Sequence, residues 1–376
     1  MEPCGRIHCA GSSHAGEARG SDQRTNRMNR LIIRYGSYLG LLTAAAALPY
    51  LVTSASSRLV AITALLYALL AASWNLTLGI SGIFNFAHVG FFGLGGYAAA
   101  ISVVSWGWDA WAGLLLGGAV GSAAGALAYL PVVRMRGIYI ALITFVFVQL
   151  CYYLILAVPG LTGGSSGLPG LRSLGIGSFS LHEFGGLGYL WLVGFAVALL
   201  LIALDSVLRS SFGRSLVALR DNEQFAVSRG ISRVRQQMLA FVLSGGIAGV
   251  SGALYVSYFR VADTSLFSFG FVTLGLSMIF LGGTGHIWGP VVGAIVVTLI
   301  DRQLSDLGSW RQIIIGGGTI LVLIFLPRGI AGLMERGAVG LRRLVPGAPV
   351  RYQRSRDTAI ANTPVTANAT EGEKNV

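Results

Sequence analysis

The residues most able to do chemistry are few and scattered. His8, His14, His88, His182 and His286 form no H-E-x-x-H pair, so the two-histidine face that would hold a hydrolytic zinc is missing, and no metal ligands are assigned. No G-x-S-x-G elbow presents a serine nucleophile, and no catalytic residues are assigned. Cys4 and Cys9 stand in a polar stretch and Cys151 in an apolar one, a pattern that reads as neither a disulfide framework nor a metal site. The single lysine, Lys374, is followed by Asn375, whereas a P-loop needs G-K-[ST] to reach phosphates. Any nucleotide-driven work therefore has to be done by a partner.

Three stretches place polar or glycine-rich sequence among apolar residues. In GISGIFNFAHVGFFGLGGYAAA, Asn85 and His88 lie beside Gly93 and Gly96. Polar groups inside a membrane are costly unless they face a bundle interior, a cavity or a partner. The stretch reads as a translocation-path segment in which a broken helix exposes backbone groups to a small zwitterion. Helix packing through small residues, with Asn85 and His88 bonded to neighbouring helices, explains the same residues. FLGGTGHIWGP, with Gly283 and His286, suggests a second interrupted helix, and two such segments in opposite halves hint at internal duplication. The third stretch, 210–237, holds Arg214, Arg220, Glu223, Ala226 and Gly230 between two apolar blocks. It reads as a short amphipathic helix with Leu216, Leu219, Phe225 and Val227 on one side, capped near Asp221 and Asn222 and stopped at Gly230.

The elements that must position these residues are membrane helices. The chain is 54% hydrophobic and 11% charged, with a mean hydropathy of +0.69, against about a quarter charged in soluble domains. The fold class expected is all-α: a polytopic integral membrane protein. A span needs about 20 apolar residues, and ten fit: 36–54, 58–79, 82–105, 111–133, 137–159, 189–207, 238–258, 270–284, 289–302 and 312–327. Eight spans, with 270–302 folded as re-entrant segments, is the competing count. With both termini in the cytoplasm, 22 of the 27 basic residues fall inside; Arg58, Arg172, Arg260, Arg302 and Arg311 fall outside. That split obeys the positive-inside rule. The domain plan is a disordered tail over 1–30, a transmembrane domain over 31–332 and a cytoplasmic, largely disordered tail over 333–376. Residues 1–27 lack a secretory h-region, and MNRLIIRYG suggests a translation start at Met28. The outside loop Leu161–Gly188 reads as turns that could form a lid or docking surface. Intramembrane acids are nearly absent, Asp205 and Asp301 lying near span ends, which disfavours a proton-driven carrier.

Taken together, NLTLGISGIFNFAHVGFFGLGGYAAA, RMRGIYIALITFVF, LTGGSSGL, SFGRSLVALRDNEQFAVSRGISRVRQQMLAFVLSGGIAGVSGALY, IFLGGTGHIWGPVVGA and LIFLPRGI resemble the LivM-type permease subunits of branched-chain amino-acid ABC importers. The resemblance covers most of 31–332 in the family's order. It implies the ABC importer permease fold and a cytoplasmic coupling helix within 210–237, counterpart of the permease E-A-A…G loop, seated in an ATP-binding subunit. Glu223, Ala226 and Gly230 fit that loop; Phe225 stands where a small residue is usual, and no terminal I-x-L-P follows. The implied assembly is this permease, a second homologous permease, two ATP-binding subunits and a periplasmic or lipid-anchored substrate-binding protein in a bacterial inner membrane. The implied cargo is leucine, isoleucine or valine. A urea or short-chain amide importer could keep much the same permease, and a stand-alone channel or secondary transporter is the reading from a different class.

Overall fold

Among the described residues thirteen α-helices follow one another along the chain. In the computed structural model the described residues are 36–332, apart from 37, 48, 51, 53, 177, 178, 309, 327 and 328. The expectations for the tails and for a start at Met28 lie outside the described residues. The long elements are α1 (Tyr38–Ala47), α2 (Ala55–Asn75), α3 (Ala87–Val104), α4 (Ala110–Val132) and α5 (Ile138–Ala157). After a one-turn helix, α6 (Pro159–Thr162), comes α7 (Glu183–Arg209). Two short helices, α8 (Ser211–Asp221) and α9 (Glu223–Ser228), then lead to α10 (Arg233–Phe259), α11 (Phe269–Gly282), α12 (Gly289–Gln303) and α13 (Trp310–Phe325).

A helix lies within each of the ten predicted spans, and seven are long and apolar enough by themselves to cross a membrane. The shorter α11 and α12 bear on the competing count of eight. Arg302, at the end of α12, donates to the Ser56 carbonyl at 3.2 Å, while the turn before α12 bonds Asn75. Between Ser56 and Asn75 α2 rises about 28 Å, close to the hydrocarbon thickness. The turn and α12 together thus lie along the length of α2.

Residues 64–80 are all buried, so α2 is apolar all round because it is the central helix. Around it, α10 packs on α3 and α4, α12 on α2 and α11, and α7 on α2. Glycine permits the α3–α4–α10 contact: a Cβ at Gly252 would stand 1.9 Å from the Phe92 carbonyl oxygen, and one at Gly121 2.3 Å from that of Gly245. Such backbone approach is how helices associate where lipid removes the hydrophobic drive. The outward residues Leu142, Val146, Leu150 and Leu154 of α5 form an exposed apolar stripe, as contact with hydrocarbon or another membrane subunit requires.

The loop expected as turns over 161–188 is shorter, because α7 begins at Glu183 rather than near 189. It folds down onto the bundle through two small antiparallel ladders, β1 (Leu168–Pro169) with β4 (Val261–Ala262) and β2 (Gly175–Ile176) with β3 (Phe179–Ser180). Tyr189 anchors it, its hydroxyl accepting from the Leu174 amide at 2.9 Å and donating to the Ser257 carbonyl at 3.1 Å.

Candidate functional site

The polar stretch 210–237 is two helices rather than one. Ser210 caps α8 by accepting from the Gly213 amide, and α8 ends where Asn222 turns extended (φ −155°, ψ 98°). Asn222 then caps α9, its Oδ1 accepting from the Phe225 amide at 3.0 Å. The expected stop at Gly230 is made: Gly230 has φ +84°, its amide donates to the Val227 carbonyl and that of Ile231 to Ala226, the paired bonds of a Schellman motif. The break at Asn222 corrects the expected apolar face. Leu216 and Leu219 are buried against the bundle, but the helical phase restarts after Asn222, so Ala226 turns inward while Phe225 and Val227 are 59% and 49% exposed. The helix expected from 238 already starts at Arg233.

The charged residues of this segment hold it in place. Glu223 pairs with Arg136 at 3.4 Å and with Arg233 at 3.3 Å, tying α9 to the α4–α5 turn and to α10. Arg214 is exposed and donates to the Arg209 carbonyl. Arg229 lies over the Phe225 ring, 5.2 Å from its centroid. What remains outward is a face of Phe225, Val227, Gln224 and Arg229, apolar at its middle and basic at its rim.

Arg220 points the other way. Its Nη1 donates to the Gly79 carbonyl at 3.0 Å, while Nε and Nη2 hold Asp221. Gly79 lies in a π-turn, Leu76–Ile80, that ends α2, followed by irregular, non-helical chain until α3 starts at Ala87. The break is therefore longer than the predicted gap between spans at 79 and 82. Asn75, which the sequence reading did not single out, joins this turn to the second interrupted segment: its Oδ1 accepts from the Gly285 amide at 3.0 Å and its Nδ2 donates to the His286 carbonyl at 2.9 Å. An amide side chain within an apolar run was the signal for it. Gly283 (φ +108°) and Gly285 (φ +81°) shape that turn, and Pro290 opens α12.

Asn85 and His88 are fully buried within the chain's own fold. The Asn85 Nδ2 donates to the Thr77 hydroxyl and the Ile83 carbonyl, each at 3.0 Å, so its Oδ1 must face the ring of His88. Nδ1 of His88 therefore carries the proton, and Nε2 has no hydrogen-bond partner among the described residues. The imidazole stacks on Trp74 at 5.5 Å between centroids, and the Trp74 indole donates to the Asn85 carbonyl. Gly93 and Gly96 face Phe267 and Val256, where added Cβ atoms would lie 2.4 and 2.7 Å from side-chain carbons. The two glycine-broken segments and Arg220 thus meet at one end of the bundle, with Asn85 and His88 bracing the loop between α2 and α3.

The acids near span ends are paired, Asp205 with Arg209 at 2.8 Å and Asp301 with Arg311 at 2.9 Å. The second pair borders a cavity of about 300 Å³ lined also by Tyr67, Tyr255 and Gln312. Among the described residues no three His, Cys, Asp or Glu side chains group as metal ligands.

Residues 58–323 match the family described as branched-chain amino acid transport system, permease component. The high-affinity branched-chain amino acid transport system permease protein LivM of Salmonella typhimurium is 29% identical over 313 residues, covering 78% of this chain and 73% of that protein. LivM of Escherichia coli is 28% identical with the same coverage of each. The permease protein LivH of Escherichia coli is 27% identical over 72% of this chain and 92% of its own. With its helical bundle and matched permease core, this chain belongs to the permease-component family of branched-chain amino acid ABC transport systems.

Proposed function

We propose that this chain is the membrane subunit of an ATP-driven importer that carries leucine, isoleucine and valine inward by alternating access. The observation that carries this reading is the α8–α9 segment. Its inner side is fixed by Leu216, Leu219, Ala226 and the Glu223 ion pairs, so force on the outer Phe225–Val227 face reaches the bundle instead of dissipating in a loop. Apolar anchors with a basic rim suit a protein groove, and the α8–α9 end is the arginine-rich, cytoplasmic side. The partner seated there is an ATP-binding subunit, two per complex, which holds ATP and Mg. A second, homologous permease completes the membrane part, and a substrate-binding protein delivers cargo at the opposite end. The membrane is the bacterial inner membrane, with both termini cytoplasmic.

Uptake of labelled leucine and labelled urea in a strain lacking this gene tests the reading. Leucine uptake falls and returns with the wild-type gene, while urea uptake does not change. Unchanged leucine uptake refutes the cargo, and solute movement by the purified chain alone in liposomes refutes the partner-driven mechanism.

A further inference from the structure

We propose that Arg220 is the transmission residue of this permease: it links α8 to the π-turn of α2 and, through Asn75, to the α11–α12 turn. The inference rests on the ATP-driven reading above and adds the route by which movement of the docking segment enters the bundle.

Three contacts define the joint. The Arg220 guanidinium caps the Gly79 carbonyl, one of the acceptors a helix end leaves open, and its charge complements the negative end of α2. Its aliphatic stem crosses Gly82, which has φ +71° and whose added Cβ would fall 2.5 Å from the Arg220 Cγ. On the far side of Gly79, an added Cβ would meet Asn75 Oδ1 at 2.0 Å and the Gly285 amide at 2.4 Å. Arg220, Gly79, Gly82, Asn75 and Gly285 therefore pack without slack. The hydrogen bonds run on from Arg220 to Gly79 and from Asn75 to Gly285 and His286, so a shift of α8 either breaks the Arg220–Gly79 bond or carries the π-turn with it. The π-turn is the place to receive such a push, because single π-turns within helices occur frequently at functional sites.

The experiment uses the complete complex, this chain with its second permease and ATP-binding subunits, in proteoliposomes supplied with the binding protein and labelled leucine. Assembly is read by co-purification and coupling as leucine imported per ATP hydrolysed. Arg220→Gln assembles but imports at least about tenfold less leucine per ATP, because its amide is too short to reach Gly79 while also holding Asp221. Arg220→Lys recovers to within about threefold of wild type, since one ammonium can still cap the carbonyl. An assembled Arg220→Gln complex within twofold of wild-type coupling overturns the proposal, as does an Arg220→Lys complex no better than Arg220→Gln. Loss of assembly in Arg220→Gln alongside normal assembly in Asp221→Asn assigns Arg220 to docking instead and also overturns it. A wild-type complex without ATP-dependent uptake refutes the parent reading, a separate outcome.

Discussion

Replacing Asn85 by alanine isolates the polar brace between α2 and α3. The substitution strands the Ile83 carbonyl and the His88 Nδ1–H, whereas Thr77 keeps its bond to the Trp74 carbonyl at 3.1 Å. A buried group left unpaired costs about 1–3 kcal/mol in water-soluble proteins, and hydrogen bonds between membrane helices average about 0.6 kcal/mol. Two stranded groups at the low end, with about 1 kcal/mol for the void left by the amide, give a loss of about 3 kcal/mol. At roughly 2–4 °C per kcal/mol the melting temperature falls by about 6–12 °C. Asn85→Asp retains the shape but sets a carboxylate oxygen where Nδ2 lay, 3.0 Å from the Ile83 carbonyl, so two acceptors face each other in a site with no water exposure. It destabilises at least as much as alanine at neutral pH. Thermal unfolding of the detergent-purified chain, followed by its intrinsic tryptophan fluorescence, measures both. A melting temperature within about 2 °C of wild type for Asn85→Ala, or an Asn85→Asp protein as stable as wild type, would falsify the assigned hydrogen-bond network.

Gly252→Ala places a methyl 1.9 Å from the Phe92 carbonyl oxygen and drives α3 from α10; a loss of about 1–3 kcal/mol follows, measured by the same melting assay. Gly230→Pro cannot adopt φ +84°, so α9 loses its terminator; membrane levels on immunoblots remain normal while co-purification with ATP-binding subunits drops at least about tenfold. Glu223→Arg sets a third cation beside Arg136 and Arg233; these ion pairs are partly solvated, so stability falls by only about 1 kcal/mol, but co-purification is reduced because α9 swings from its seat. Phe225→Ala leaves the melting temperature of the free chain unchanged, since the ring is 59% exposed, and weakens binding to the ATP-binding subunit by about 2 kcal/mol in a titration of the purified partners.

Much of the fold was legible because bilayer thickness and hydropathy are local properties. Each of the ten apolar runs holds a helix, and the glycine clusters at 79–82 and 282–285 mark real interruptions. Cap residues were legible for the same reason, since Asn222 and Gly230 act on amides and carbonyls within five residues of themselves. The face of the α8–α9 segment was not. Helical periodicity carried across Asn222 put Phe225 with Leu216, and one extended residue was enough to reverse that side.

By itself the sequence determined a helical membrane bundle of two apolar halves, a basic segment between them and the family to which its motifs belong. Only the tertiary structure decided which polar groups meet. Asn75 finds Gly285 across 210 residues and Arg220 finds Gly79 across 141. Neither pairing follows from periodicity, because each depends on how α2 lies against α8 and α12 once the surrounding glycines have let the backbones close. A carbonyl freed by a helix break has to be satisfied in the low-dielectric interior, and which side chain reaches it is settled by packing.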